Sequence, residues 1–305
     1  MTGSARASTP AGARGAALGP GTAYTLLAAL GFAAVSTLTS IALAERVALY
    51  NVLAWRYVLS SVVLVAFVGT RRYPRMPPRE AMRWIVIGGG GQALFVGMAL
   101  SSLRYIPVAT LAFLFYTYPS WVTLVQAIRG AERLSTRRVL ALVLSFGGVV
   151  LINVGPSAVA FALPGVALAL GAAMVYGVYI PTMQALQKTH PVPVTSAYAK
   201  IGSAACFLVL VFGQGTFTAS MSWTAWNAIV ALAIVSTVLP SVFFLMGLMR
   251  LGPVRTAIVS TVEPFLTALL GALVLRQGVQ PNILLGGVLI VSAVVLLQYR
   301  RERVA

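Results

Sequence analysis

Ten apolar stretches, each about the length of a membrane-spanning helix, recur along the chain. A helix of roughly 20 apolar residues crosses the hydrocarbon core of a bilayer, which is about 30 Å thick. The stretches cover residues 22–43, 49–69, 84–103, 107–128, 138–154, 164–186, 194–213, 225–248, 254–275 and 281–299. Only short polar loops connect them. The sequence therefore predicts an all-α integral membrane protein with ten transmembrane helices.

The composition excludes a water-soluble globule of the same length. Of the 305 residues, 59% are hydrophobic and only 9% are charged, whereas a soluble domain has about 25% charged residues. The acidic residues are five glutamates, and the chain has one histidine (His190) and one cysteine (Cys206). This set cannot build a histidine-based metal site or an internal disulfide. No cofactor or metal is expected.

The cations are distributed unevenly between alternate loops. With the N-terminus in the cytosol, seventeen of the 22 Lys and Arg residues fall in cytosolic segments and three (Arg46, Arg104 and Arg276) in outer loops. Cytosolic loops of membrane proteins are enriched in Lys and Arg. The pattern predicts a multi-pass protein of the cytoplasmic (inner) membrane with both termini in the cytosol. It also accounts for the net charge of +17 without a nucleic-acid partner.

Residues 1–20 are small, polar and interrupted by Gly and Pro, which predicts a disordered N-terminal tail. The arginines of this tail, followed by an apolar run, are similar to a secretory signal. However, the run 22–43 is longer than the apolar core of such a signal, which has about 7–15 residues, and further spans follow it. We expect an uncleaved first span.

The two halves of the chain repeat each other at a nearly constant offset. Arg56 and Lys200, the two cations inside predicted spans, are 144 residues apart. Two sequence matches share this offset to within two residues: LRYIPVAT (103–110) with MRLGPVRT (249–256), and TYP (117–119) with VEP (262–264). Each half holds five spans, an odd number, so the second half enters the membrane in the opposite orientation. Inverted repeats of this kind are typical of transporters that alternate access around a midplane site.

These features resemble the drug/metabolite transporter superfamily, in its EamA-like branch, over about residues 21–300. The resemblance rests on the cation of AWRYVLSS (54–61), on the Pro-centred fourth and ninth spans, and on Glu132 after the fourth span. Gln277 stands where the family usually repeats this glutamate, so the second copy departs from the pattern. We expect two EamA-like five-helix repeats, residues 21–155 and 161–300.

The resemblance implies a secondary active transporter that moves a small metabolite, often outward. It also implies that spans 1–4 and 6–9 line a central cavity and that spans 5 and 10 are peripheral. The expected partners are a small-molecule substrate and the lipid bilayer, with protons and a homodimer as further candidates. A channel or uncoupled facilitator is the alternative function. Membrane hydrolases and transferases need paired carboxylates, metal ligands or a nucleophile beside a base. The predicted spans hold one buried carboxylate, and His190 lies in a loop, so an enzyme is not expected.

The ninth span carries one carboxylate, Glu263, directly before Pro264. Thr256, Ser260, Glu263 and Thr267 are spaced 4, 3 and 4 residues apart, which places them on one face of a helix. Ionisable groups are costly in hydrocarbon and therefore face a cavity or each other. We predict that Glu263 binds substrate and couples transport to protons, with the three hydroxyls beside it. The alternative is a buried ion pair that clamps a neighbouring helix.

The equivalent face of the fourth span is aromatic. It carries Phe115 and Tyr118, flanked by Tyr116, and the sixth span adds Tyr176 and Tyr179, three residues apart. A pocket that is acidic on one side and aromatic on the other suits a cationic or zwitterionic amphipathic solute, such as an amino acid. The alternative is that these rings only pack helices together.

Arg56 and Lys200 are also predicted to bind substrate, either by holding a carboxylate or by pairing with Glu263. The alternative is that their charged ends extend to the lipid headgroups. The run IGGGGQALF (87–95) lacks the Gly-Lys-Ser/Thr of a phosphate-binding loop and lies within a span, so it predicts close helix packing. Pro181 and Pro240 are expected to kink the sixth and eighth spans.

Overall fold

The computed structural model describes residues 19–74, 76–106, 108–131, 135–153, 162–187, 189–275 and 281–298. The disordered tail predicted for residues 1–20 lies almost wholly outside this part, as do Glu132 and Gln277. The helices are α1 (Pro20–Ala44), α2 (Leu49–Thr70), α3 (Pro78–Arg83), α4 (Gly91–Ser102), α5 (Val108–Phe115), α6 (Tyr118–Ile128), α7 (Thr136–Asn153), α8 (Leu163–Leu186), α9 (Val192–Gly213), α10 (Trp223–Ala233), α11 (Leu239–Leu251), α12 (Pro253–Ser260), α13 (Val262–Leu275) and α14 (Pro281–Gln298). Two π-helical segments, Trp84–Gly90 and Ile234–Val238, join α3 to α4 and α10 to α11.

Six helical stretches of the described residues are long and apolar enough to cross a membrane. They are Pro20–Ala44, Leu49–Thr70, Pro78–Ser102, Leu163–Leu186, Val192–Gly213 and Trp223–Leu251. These stretches overlap the first, second, third, sixth, seventh and eighth predicted spans. The other four predicted spans correspond to α5 with α6, α7, α12 with α13, and α14. The all-α membrane fold is confirmed, whereas the count of ten transmembrane passes stays a prediction.

Two of the predicted spans, the fourth and the ninth, are each broken into two helices. The upstream helix α5 ends at Phe115, four residues before Pro119, and α12 ends at Ser260, four residues before Pro264. Proline has no backbone N–H, and its ring clashes with the carbonyl four residues earlier. The two breaks are therefore set by prolines at equivalent positions of the two halves.

The π-helical segments interrupt corresponding spans, the third and the eighth, and glycines bring α9 close to the first of them. A Cβ atom on Gly202 would lie 2.0 Å from the carbonyl oxygen of Ile85, and one on Gly89 would lie 2.5 Å from that of Ala199. The close packing predicted for the run 87–95 is thus confirmed at Gly89. Pro240 lies in the first turn of α11, directly after the second π segment.

The first repeat (α1–α7) and the second repeat (α8–α14) pack on each other in a two-fold pattern. Helix α1 packs against α11, its counterpart α8 packs against α4, and α2 packs against α9. The fifth spans of the two repeats, α7 and α14, pack together, and the Arg137 guanidinium donates to the carbonyl oxygen of Leu296.

The outer surface of the bundle is apolar. Trp223, Leu163 and Leu273 are 80%, 79% and 78% exposed, and many other large apolar side chains on the surface are more than one-third exposed. Contiguous exposed apolar surface of this extent is unfavourable in water. The chain is therefore a multi-pass protein embedded in the lipid bilayer.

Candidate functional site: a cavity between the two repeats

A cavity of about 260 Å³ lies where the two repeats meet. Its walls come from α1, α2, α4, α8, α9 and α11, from the first π segment, and from the broken spans through α5, α6 and α13. Among the described residues, neither α7 nor α14 contributes to the lining, which agrees with the peripheral fifth and tenth spans that the resemblance implied. The cavity thus lies beside both proline-induced helix breaks, where midplane sites of inverted-repeat transporters are found.

Seven of the eleven predicted site residues line this cavity, and four do not. The seven are Phe115, Tyr118, Tyr176, Tyr179, Glu263, Arg56 and Lys200. The other four are Tyr116, Thr256, Ser260 and Thr267. Their role in binding a substrate stays a prediction.

The hydroxyl residues predicted beside Glu263 do not form one face of one helix. Thr256 and Ser260 belong to α12, whereas Glu263 and Thr267 belong to α13, because Pro264 ends α12 at Ser260. The Thr256 hydroxyl donates to the carbonyl oxygen of Gly252 in its own helix at 2.8 Å. The Thr267 hydroxyl donates to the carbonyl oxygen of Ala33 in α1 at 3.4 Å. Of these four side chains, only Glu263 lines the cavity.

Glu263 lies in the first turn of α13, where the helix dipole favours a negative charge. The Tyr116 side chain, from the helix break of the other repeat, lies close to it. Arg56 is near enough to interact with Glu263 electrostatically. Within the described part of the chain, however, no ion pair joins Glu263 to Arg56 or Lys200. Glu263 therefore does not form, with either cation, the buried ion pair that was the alternative explanation for its position.

The aromatic residues form one cluster around Tyr176. The centre of its ring lies 4.6 Å from that of Phe95, 4.7 Å from that of Tyr118 and 5.5 Å from that of Phe115. The Tyr179 hydroxyl donates to the carbonyl oxygen of Gly88 in the first π segment at 3.1 Å. The cluster both packs four helical elements together and presents rings to the cavity.

Arg56 and Lys200 are buried, at 7% and 3% exposure. The Arg56 guanidinium donates from Nε to the hydroxyl of Thr237 at 2.6 Å and from Nη2 to the carbonyl oxygen of Ser236 at 3.1 Å. The Lys200 ammonium donates to Oε1 of Gln92 at 2.8 Å. A snorkelling side chain keeps its charge in water, so the headgroup alternative is wrong for both residues.

Several cavity residues were not identified from the sequence, among them Tyr57, Gln92, Phe95 and Ser196. Tyr57 lies beneath both cations, 5.4 Å from Arg56 Cζ and 5.6 Å from Lys200 Nζ to its ring centre. Gln92, Phe95 and Ser196 also line the cavity. The sequence contained a pattern that could have predicted two of them. Gln92 is the polar residue of the glycine run, and Ser196 precedes Lys200 by one helical turn.

The cavity lining is deeply buried at the end where α3 and α9 begin, which we interpret as the closed end. Its lining residues there, Trp84, Met183 and Ser196, are at most 2% exposed, whereas Leu49 and Leu100 toward the opposite end are partly exposed. Beyond the closed end, His190 Nε2 lies 2.7 Å from Glu80 Oε2 and joins the two repeats.

Two helical repeats around a polar and aromatic cavity that is closed at one end define a membrane transporter of small molecules. The sequence matches the EamA-like transporter family over residues 19–154 and 163–299, and the chain belongs to that family. Its substrate is accordingly a small molecule, and the protein is embedded in the lipid bilayer.

The fold is also similar to a solved structure that is described only as the crystal structure of a protein. The TM-score is 0.80 and the sequence identity is 21%, over 92% of this chain and 98% of that chain. At this identity the likeness concerns the fold alone. No curated protein matches the chain.

Proposed function

We propose that the chain is a secondary active transporter that exports a small amphipathic metabolite, such as an amino acid, by alternating access. The observation that carries the proposal is the position of the cavity, which lies beside both helix breaks and between the two repeats. A transport site must be reached from one side of the membrane at a time, and paired broken helices give the two repeats a place to bend.

The proposed topology has ten spans, two repeats over residues 21–155 and 161–300, and both termini in the cytosol. The asymmetry of seventeen cytosolic to three external cations supports this orientation. In that orientation α3 and α9 begin at the cytosolic side of the cytoplasmic membrane. The closed end is then cytosolic, so the structure corresponds to an outward-facing state in which Glu80 and His190 help to hold the cytosolic side closed.

Glu263 is proposed as the residue that exchanges a proton for substrate. It is the carboxylate of the cavity lining, and no ion pair with a cation fixes its charge among the described residues. A carboxylate of this kind can release a proton when the cavity faces one side and take one up when it faces the other. The proposal concerns one chain, and a homodimer stays a prediction.

The decisive measurement is flux in proteoliposomes that contain the purified protein. We expect saturable uptake of the substrate and counterflow, in which unlabelled solute trapped inside accelerates entry of labelled solute. A channel gives neither saturation nor counterflow. Candidate substrates are selected first by thermal stabilisation across a metabolite panel, because a ligand that binds only the native state raises stability.

A further inference from the structure

The side of the cavity lined by α2 and α9, called its cation end below, carries two cations without a matching carboxylate. Arg56 and Lys200 both line it and lie over the same ring, that of Tyr57. The described lining includes one carboxylate, Glu263, and no ion pair joins it to either cation. Removing charges from water without pairing them costs several kcal/mol for each ion. Two neighbouring cations that face a cavity are therefore poised for an anion that enters it.

Ser196 adds an independent indication at the same end. Its side chain lines the cavity and is 1% exposed, and its hydroxyl has no hydrogen-bond partner. Buried hydroxyl groups almost always have a partner, and leaving one unpaired is unfavourable. Ser196 precedes Lys200 by four residues in α9, so the two side chains lie on the same helical face. The hydroxyl oxygen is buried in this structure, so a ligand oxygen bound to Lys200 would meet it after a change of the Ser196 side-chain rotamer.

The cations themselves have donors left for a ligand. Of the three N–H groups of the Lys200 ammonium, one donates a hydrogen bond to Gln92. The Arg56 guanidinium uses Nε and Nη2 for Thr237 and Ser236, and its remaining N–H groups have no assigned acceptor within the described residues. The bonds already made fix both heads in position, which lowers the cost of ordering them around a ligand.

The aromatic cluster lies directly beside this end. Phe95 follows Gln92 by three residues in α4, on the same helical face, and its ring packs against Tyr176 and Tyr179. A solute whose acidic group meets Lys200 would therefore place its body among these rings.

We propose that Arg56, Lys200 and Ser196 form an anion-binding end of the cavity, so that the transported solute carries an oxyanion such as a carboxylate next to an aromatic or apolar body. This proposal rests on the function proposed above and narrows it. An amphipath with a positive charge and no acidic group is not a substrate, although a zwitterion can also present its ammonium group to Glu263.

The test is calorimetric titration of the detergent-purified protein with a matched ligand series. The acids are benzoate, 3-phenylpropanoate and phenylalanine, and their amides are benzamide, 3-phenylpropanamide and phenylalaninamide. A further ligand without an acidic group is 2-phenylethylamine. We expect an acid to bind roughly 30-fold more tightly than its amide, since truncating one partner of a buried charge pair has an effect of that size. Lys200→Gln should lower this ratio by about tenfold, and Arg56, which remains, should keep it above one. Arg250→Gln, a change of an exposed cation, is the control and should leave it unchanged.

If Lys200→Gln does not fold because a buried cation has been removed, Ser196→Ala is the second variant that tests the proposal. The change removes a hydroxyl that has no partner, so the thermal stability of the ligand-free protein should stay equal or rise. Acid binding should nevertheless weaken by about 5- to 10-fold, the effect of one hydrogen bond to a charged group. Equal binding of acids and amides, or no binding by any acid of the series, overturns the proposal, as does unchanged acid binding by Ser196→Ala.

Flux measured on the same preparation separates this proposal from the transport function. Acid binding without saturable counterflow would support the anion-binding end and contradict the proposed transport function. Saturable counterflow of 2-phenylethylamine that the acids do not inhibit would support the transport function and contradict the anion-binding end.

Discussion

Arg56 and Lys200 reach across the molecule in opposite directions to equivalent places. Arg56 of the first repeat bonds to Ser236 and Thr237 in the π segment of the second repeat, and Lys200 of the second repeat bonds to Gln92, two residues after the π segment of the first. Arg56 therefore joins α2 to the irregular segment of the second repeat, and Lys200 joins α9 to the start of α4, directly after the irregular segment of the first repeat.

Serines one turn further along reinforce this pairing. The Ser60 hydroxyl donates to the carbonyl oxygen of Ala233, and the Ser203 hydroxyl donates to that of Gly89, both at 3.1 Å. Single π turns inside helices are frequent at functional sites. The cations consequently have two tasks, which are to face the cavity and to connect the two repeats around it.

Neutralising either cation should reduce transport while the protein still inserts in the membrane. Arg56→Gln and Lys200→Gln each remove a buried charge and its bond across the repeats, and we expect the rate of transport to fall by about tenfold or more. Arg56→Lys should also impair transport, because lysine cannot reproduce the two directed N–H bonds of the guanidinium. Uptake assays corrected for the amount of inserted protein measure the effect. Normal transport by both Gln variants would contradict a role in the cavity.

Glu263→Gln should abolish transport that is driven by a proton gradient and preserve folding. The amide retains the shape of the carboxylate and its capacity to accept a hydrogen bond, but it cannot gain or lose a proton. Uptake into proteoliposomes with and without an imposed pH gradient is the measurement. If Glu263 only couples, counterflow without a gradient survives in the variant; if it also binds substrate, counterflow is lost. Full gradient-driven transport by Glu263→Gln would leave Glu263 with a structural role.

The sequence predicted the membrane fold and the ionisable residues of the cavity because both depend on patterns along the chain. Apolar length, the 144-residue offset and ionisable residues inside spans placed Glu263, Arg56 and Lys200 correctly. The stripe from Thr256 to Thr267 was not correctly placed, since it assumed one unbroken helix through Pro264. Tyr57 and Phe95 were missed because an aromatic residue in an apolar helix has no sequence signal that separates lining from packing.

Reporter fusions should place residue 76 in the cytosol, residue 158 outside and residue 303 in the cytosol. The expectation follows from the uneven distribution of cations between alternate loops, and residues 158 and 303 lie outside the described part of the chain. Paired fusions to alkaline phosphatase and to a fluorescent protein that matures only in the cytosol measure both sides. Phosphatase activity from a fusion at residue 76 would contradict the orientation, and with it the assignment of the closed end to the cytosol.

Loss of the Glu80–His190 pair should shift the protein toward a state open to the cytosol. At the opposite end the Ser222 hydroxyl donates to Glu45 at 2.7 Å, and Glu45 is 145 residues from His190, which makes this bond the counterpart of the pair in the other repeat. Glu80→Gln should therefore favour cytosolic opening and Glu45→Gln should oppose it. Both sites are partly or fully exposed, so we expect modest effects of about 1.5- to 5-fold in population.

Labelling of one cysteine at the closed end measures this shift. Cys206→Ala removes the single native cysteine, and Met183→Cys then places a thiol at that end, where Met183 is 1% exposed. The labelling rate should rise with Glu80→Gln and fall with Glu45→Gln. The same direction of change in both variants would contradict opposed roles for the two contacts.

The contact of α9 with the first π segment should tolerate no side chain at Gly202. An added Cβ would lie 2.0 Å from the carbonyl oxygen of Ile85, and backbone cannot yield as a flexible side chain can. Gly202→Ala should therefore destabilise the protein by about 1–3 kcal/mol or more. Gly90→Ala, in the same π segment, is the matched control, because its Cβ would meet no atom within 4 Å; it should leave stability unchanged or raise it by about 0.5–1 kcal/mol. Thermal unfolding followed by tryptophan fluorescence compares the two, and equal unfolding temperatures would show that the repeats are not packed this closely in solution.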